Sequence, residues 1–169
     1  MLKKIRIQIT STRTEIKGSL FETPTGQFLP TGAPPTEAKP EHLELMMEGR
    51  YYDDGHRVTI SYKESELTGM EGATTTVYFQ KSDPHIVTMT RTGTVRTALV
   101  FEEGQRHRCV YETPVMPFEV SVETKRVQNA VEATGLLRLD YTVELRGANA
   151  ERTQFEMKLL PVFNKPLGQ

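Results

Sequence analysis

The chain has one cysteine, Cys109, so an intramolecular disulfide is excluded and a cysteine-based zinc site lacks ligands. Its four histidines, His42, His56, His85 and His107, show no metal-ligand spacing. No serine lies in a nucleophile-elbow context and no glycine-rich phosphate loop is present, so no cofactor and no catalysis are expected. No apolar run approaches the ~20 residues of a spanning helix. The N-terminus, MLKKIRIQIT, alternates and lacks the apolar centre of a signal peptide. A cytoplasmic protein with no membrane partner is the expectation. Formal net charge is -1, so there is no basic excess to bind nucleic acid. Tryptophan is absent and methionine occurs seven times, so adaptable side chains are expected to fill part of the core. No segment carries a sustained helical period. Residues 128–134 are the place for a helical turn.

What is present is alternation. From His85 to Pro114 apolar and polar residues alternate and turn signals interrupt twice. That is the period of half-buried strands. A three-residue loop at Glu102-Glu103-Gly104 pairs Phe101 with Gln105, Leu99 with His107, Thr97 with Cys109 and Val95 with Tyr111. A three-residue loop at Thr92-Gly93-Thr94 pairs Arg91 with Val95, Met89 with Thr97 and Val87 with Leu99. Paired residues share a face. Val87, Met89, Leu99 and Phe101 then look inward with Cys109, and so do Arg91, His107 and Tyr111. Arg91, Val95 and Tyr111 form one row at one end of the sheet.

The same pattern runs along most of the chain. Ile5, Ile7 and Ile9 alternate with Lys4, Arg6 and Gln8. Asp54-Gly55 predicts a two-residue turn that pairs Tyr51 with Val58, Gly49 with Ile60, Met47 with Tyr62 and Leu45 with Glu64. This carries Glu64 onto the apolar face. Gly49 within a strand predicts a bulge or sharp bend. Val77 and Phe79 point inward. Phe118, Val120 and Val122 alternate with glutamates and serine, and Thr124 continues their face. Leu137 to Leu145 and Phe155 to Leu159 alternate likewise. Residues 22–40 differ: five of the ten prolines lie there, so the segment reads as a Pro/Gly-rich loop insertion and not a sheet strand. A mobile surface loop is the favoured reading. The alternative is a lid over a barrel mouth, with Phe28 and Leu29 as its apolar contacts.

A meander with one apolar face must close to bury it and remove its edges. The predicted fold is all-β: a single domain over residues 1–169, built as an antiparallel up-and-down closed barrel of about 8–10 strands.

Several motifs carry a resemblance: Gly49-Arg50-Tyr51-Tyr52, Tyr62-Lys63-Glu64-Ser65, Thr68-Gly69 with Gly72 and Thr74-Thr75, and Met89-Thr90-Arg91-Thr92-Gly93. Others follow: Phe101-Glu102-Glu103-Gly104, His107, Tyr111-Glu112-Thr113-Pro114 and Thr124. Over about residues 42–160 the chain resembles the YwiB-like family of small bacterial calycin-type β-barrels. The resemblance implies a barrel similar to lipocalins and streptavidin, and no activity. The chain departs from the family pattern at Met116, where a glycine is expected, and in its longer Pro-rich insertion.

Five polar residues fall on the inward face: Glu64, Arg91, His107, Tyr111 and Thr124. A buried charge needs a partner. One reading is an internal Glu64–Arg91 ion pair, with Tyr111 and Thr124 hydrogen-bonding at one barrel end. The other is a pocket whose few polar groups orient a small-molecule ligand. His107, away from the Arg91 end, reads as a core or rim histidine. Outward Arg96, Arg106 and Arg108 are interrupted by Glu102 and Glu103 and read as a solvated face. Outward Val100 and Val110 suggest a homodimer contact as the alternative to ligand binding.

Overall fold

The computed structural model describes residues 2–16, 39–145 and 149–161. The alternating segments become ten strands: β1 (Leu2–Ile16), β2 (Glu41–Asp53), β3 (Arg57–Lys63), β4 (Thr74–Gln80), β5 (Asp83–Thr92), β6 (Thr97–Glu102), β7 (Arg106–Glu112), β8 (Pro117–Ala130), β9 (Leu136–Leu145) and β10 (Asn149–Pro161). Between β8 and β9 lies a single helical turn, α1 (Val131–Thr134), inside the 128–134 window. The loop after β3 contains a 3-10 turn, Glu66–Thr68. Most of residues 22–40, including Phe28 and Leu29, lies outside the described residues. No helix among the described residues is long and apolar enough to cross a membrane.

All ten strands form one antiparallel sheet, in the order β6-β5-β4-β3-β2-β1-β10-β9-β8-β7. Chain neighbours pair throughout except β6 with β7, and β1 joins β10 and so links the two halves of the meander. The sheet curls into a nearly closed barrel whose first and last strands are β6 and β7. Its inner face holds Ile7, Val58, Ile60, Val77, Phe79, Val87, Met89, Phe101, Val122, Leu137, Leu139 and Met157, all fully buried. These are the side chains that alternation places inward.

Three pairings differ from the sequence reading. In the β5–β6 hairpin, Arg91 pairs with Thr97, Met89 with Leu99 and Val87 with Phe101. The loop is longer because it leans on the Gly72 loop: Thr94 Oγ1 donates to the Glu71 carbonyl at 3.2 Å. Gly93, at φ 115°, comes so close to the Gly72 carbonyl that a Cβ would lie 2.5 Å from it. In the β2–β3 hairpin, Gly49 pairs with Tyr62, Tyr51 with Ile60 and Asp53 with Val58. Here Asp54 Oδ1 accepts from the amides of His56 (2.8 Å) and Arg57 (2.6 Å), opening the turn beyond two residues. Both slips are by two residues, so every side chain keeps its face.

The third difference concerns β6 and β7, which form no ladder. They meet at a lone bridge, Arg96 with Glu112, through backbone bonds of 2.9 and 2.8 Å. The tip of their hairpin is spent on β8 instead. Gly104 N donates to the Thr124 carbonyl at 2.9 Å, and Thr124 N donates to the Gln105 carbonyl at 3.2 Å. Immediately beyond Thr124 the β8 register shifts. Below that bulge β8 runs beside the start of β5, where Asn129 Nδ2 donates to the Pro84 carbonyl at 3.0 Å. The β6–β7 seam is therefore held by the hairpin tip against β8 at one end and by the single Arg96–Glu112 bridge at the other.

Gly49 makes no bulge, because the β1–β2 register runs through it without a break and the β2–β3 ladder ends on it in register. Glycine is needed there for space. A Cβ would overlap the Ile7 side chain and lie 2.8 Å from the Ser61 carbonyl.

Candidate functional site

Two rows of polar side chains face each other inside the barrel. The first crosses β3 to β6: Tyr62 pairs with Thr75, Thr75 with Arg91 and Arg91 with Thr97. The second crosses β8 to β1: Thr124 pairs with Tyr141, Tyr141 with Thr153 and Thr153 with Arg13. Alternation sets both rows, since each residue lies two or four positions from a buried apolar neighbour on its own strand.

Glu64 follows β3 directly, and its amide donates to the Ala73 carbonyl at 2.9 Å. This bond closes the loop that holds Glu66–Thr68. The Glu64 side chain is only 3 % exposed. Thr75 Oγ1 donates to its Oε1, and Thr68 Oγ1 donates to its Oε2 at 3.0 Å. Arg91 Nε stands 3.8 Å from Oε1. The ion pair expected from the sequence is thus present as a charge contact beyond hydrogen-bonding distance. Glu64 draws its hydrogen bonds from two threonines, which leaves the guanidinium donors of Arg91 largely unused. Nη2 reaches the Met89 sulfur at 3.5 Å, and Nε has no hydrogen-bond partner among the described residues.

Arg91 opens into a cavity of about 440 Å³ at one end of the barrel. Tyr111 lines it too, and its hydroxyl donates to the Met70 sulfur at 3.6 Å. Leu99, Phe118, Val120, Tyr141, Val143 and Leu145 supply the apolar wall. At the rim Arg13 Nε lies 3.8 Å from Glu151, with Glu15 beside them. The Tyr141 ring also packs on Phe101, with centroids 4.6 Å apart.

Electrostatics keep both row tyrosines protonated. Burial, then the Glu64 carboxylate, raises the Tyr62 phenol above its ordinary value, and Arg91 opposes this. Burial raises Tyr141, against the pull of Arg91 and Arg13. Burial likewise raises the Cys109 thiol, whose sulfur lies 3.8 Å from Thr97 Oγ1 across the seam. Among the described residues no group of His, Cys, Asp and Glu could hold a metal ion.

Of the five polar residues read from the sequence, the structure brings together Glu64, Arg91 and Tyr111. The other two lie apart from the cavity wall. His107 is half-buried at the seam, with Nε2 3.1 Å from Glu102 Oε2. Thr124 is buried at the bulge, where its backbone carries the β8 closure and its hydroxyl has no partner among the described residues. The row Arg91–Val95–Tyr111 is replaced by Arg91–Thr97, because the β5–β6 loop is longer. Sequence reasoning missed Thr75, Thr153 and Arg13. Their signal was positional: Thr75 is in phase with Val77 and Phe79, Thr153 with Phe155 and Met157, and Arg13 with Ile5, Ile7 and Ile9.

Comparison with known proteins bears on the fold and the family. The crystal structure of the ywiB protein from Bacillus subtilis superposes with a TM-score of 0.63 at 18% identity, covering 93% of this chain and 92% of that one. At that identity the likeness is one of fold. No curated protein matches the chain. The family model described as "Domain of unknown function (DUF1934)" matches residues 33–157. That span is most of the chain, which therefore belongs to the DUF1934 family.

Proposed function

We propose that this barrel binds a small molecule at its open mouth, with Arg91 and Tyr111 as the polar contacts and Glu64 holding Arg91 in place. The observation that carries the reading is the unspent guanidinium of Arg91, half-buried in an apolar-walled cavity of about 440 Å³. That volume falls within the roughly 300–1,000 Å³ of small-molecule sites, and a few polar groups in an apolar wall is how such sites orient a ligand. Native mass spectrometry against the denatured mass tests it. A non-covalent mass that disappears in Val143→Phe, which narrows the mouth, supports the reading. It fails if no such mass is found and a fragment set also leaves the amide resonances of Arg91, Leu99, Tyr111 and Tyr141 unmoved.

A second reading is a homodimer that uses the β7–β8 hairpin. Val115 is 88% exposed, and Val110 and Met116 are exposed on the same hairpin. Val100 does not join this patch, since it is half-buried and β6 forms no ladder with β7. Sedimentation should then show a concentration-dependent dimer that Val115→Ser abolishes. A monomer at every concentration removes this reading.

A further inference from the structure

Resting on the mouth-binding reading, we infer that the ligand class is a small amphipathic organic anion, its carboxylate on the Arg91 fork and its apolar body along the barrel wall. The geometry narrows the head group first. Arg91 offers several N–H donors on one planar group, and a planar two-oxygen acceptor satisfies two of them at once. Glu64 does not already play that part. It stands 3.8 Å from Nε, and threonine hydroxyls occupy both of its oxygens. It fixes the guanidinium while leaving the face toward the cavity to another acceptor.

The charges around the mouth have to be weighed together. Arg13, Glu15 and Glu151 line the rim, and Arg13 and Glu151 compensate each other at 3.8 Å. Their side chains are well exposed, so water and salt screen them. The Arg91 side chain is 14% exposed and is screened much less. Inside the mouth the dominant field on a ligand head group is therefore that of Arg91, tempered by Glu64 behind it. The wall narrows the rest of the ligand. Leu99, Phe118, Val120, Tyr141 and Val143 present carbon and ring faces, and three of them, Leu99, Val120 and Tyr141, belong to the buried core. A ligand with a short alkyl or aromatic body gains from that wall. A free inorganic anion gains nothing from it.

The test uses octanoate, octanamide and octanol, titrated into the full chain by calorimetry and followed by NMR. Octanoate is expected to bind at least ~10-fold tighter than the other two, by virtue of a charge-assisted pair. Lengthening the acid from hexanoate should tighten binding about fourfold per methylene until the tail leaves the wall. The preference for the acid should vanish in the double variant Glu64→Gln/Arg91→Met, which leaves no unpaired charge, while octanol binding persists there. Equal affinities for acid, amide and alcohol would overturn the inference and leave the mouth as a binding site. A preference for the acid that survives the double variant would also overturn it, because another group would then be reading the charge. If none of the three probes shifts a resonance of the mouth, the binding reading itself falls with it.

Discussion

Replacing Arg91 with methionine keeps most of the side-chain length and removes the charge 3.8 Å from Glu64. At that separation, and an effective dielectric near 20, two unit charges attract by about 4 kcal/mol. Removing one member of a buried pair costs about 3–5 kcal/mol, because the other charge is left uncompensated. One feature sets where in that range the cost falls: Glu64 keeps its hydrogen bonds from Thr75 and Thr68. The lower end, about 3 kcal/mol, is expected. For a chain of this size that is a fall in Tm of roughly 6–12 °C. Urea unfolding followed by far-UV circular dichroism measures it, since the chain has no tryptophan to report by fluorescence. The double variant Glu64→Gln/Arg91→Met should regain at least half of the loss, because the neutral amide still accepts from Thr75. A double-mutant cycle isolates this coupling. Two results refute the reasoning: a single variant that loses less than ~1 kcal/mol, or a double variant no more stable than the single one.

Other perturbations follow from the same geometry. Gly49→Ala should cost about 1–3 kcal/mol by overpacking, because the Ser61 carbonyl facing the new Cβ is backbone and cannot move aside; chemical denaturation measures it. Thr75→Val deletes a fully buried hydroxyl that donates to Glu64, and a loss of about 1–3 kcal/mol is expected in the same assay. Alkali should destabilise the fold through Tyr62 and Tyr141. Both phenols are raised by burial, so the unfolded chain loses these protons first and stability falls as pH rises above about 10. Each tyrosine that ionises only on unfolding contributes a slope of about 1.4 kcal/mol per pH unit, and Tyr62→Phe should remove one such contribution from a stability-against-pH curve. In acid, Asp140, held low by its bonds from Arg152, adds stability above the ordinary carboxylate range that is lost as pH falls through its lowered value; Asp140→Asn should flatten that part of the curve.

How far the sequence could be read depended on the range of the interaction that sets each feature. Inward and outward positions follow from a period of two within a single strand, so Val87, Met89, Leu99 and Phe101 were placed on the buried face without any partner strand being known. Register depends on loops, and loops depend on what they touch. Thr94 rests on Glu71, and Asp54 captures two amides; neither contact is visible in a local pattern, and each moved its hairpin by two residues. The even slip preserved the faces, so the inward placement of Glu64, Arg91 and Tyr111 survived pairings that did not. The helical turn before Gly135 was legible from the break in alternation alone.

The sequence by itself thus determined the fold class, the faces and the presence of charge on the inner one, because these need only backbone pleat and side-chain polarity. The tertiary structure decided which of those polar groups meet. It spent the β6–β7 hairpin tip on Thr124 of β8, left the rest of that seam with the lone Arg96–Glu112 bridge, and placed Arg91 at a cavity in the barrel mouth. Backbone hydrogen bonds between β8 and a hairpin tip some twenty residues earlier in the chain shape that seam, and no periodicity within one strand encodes such a contact.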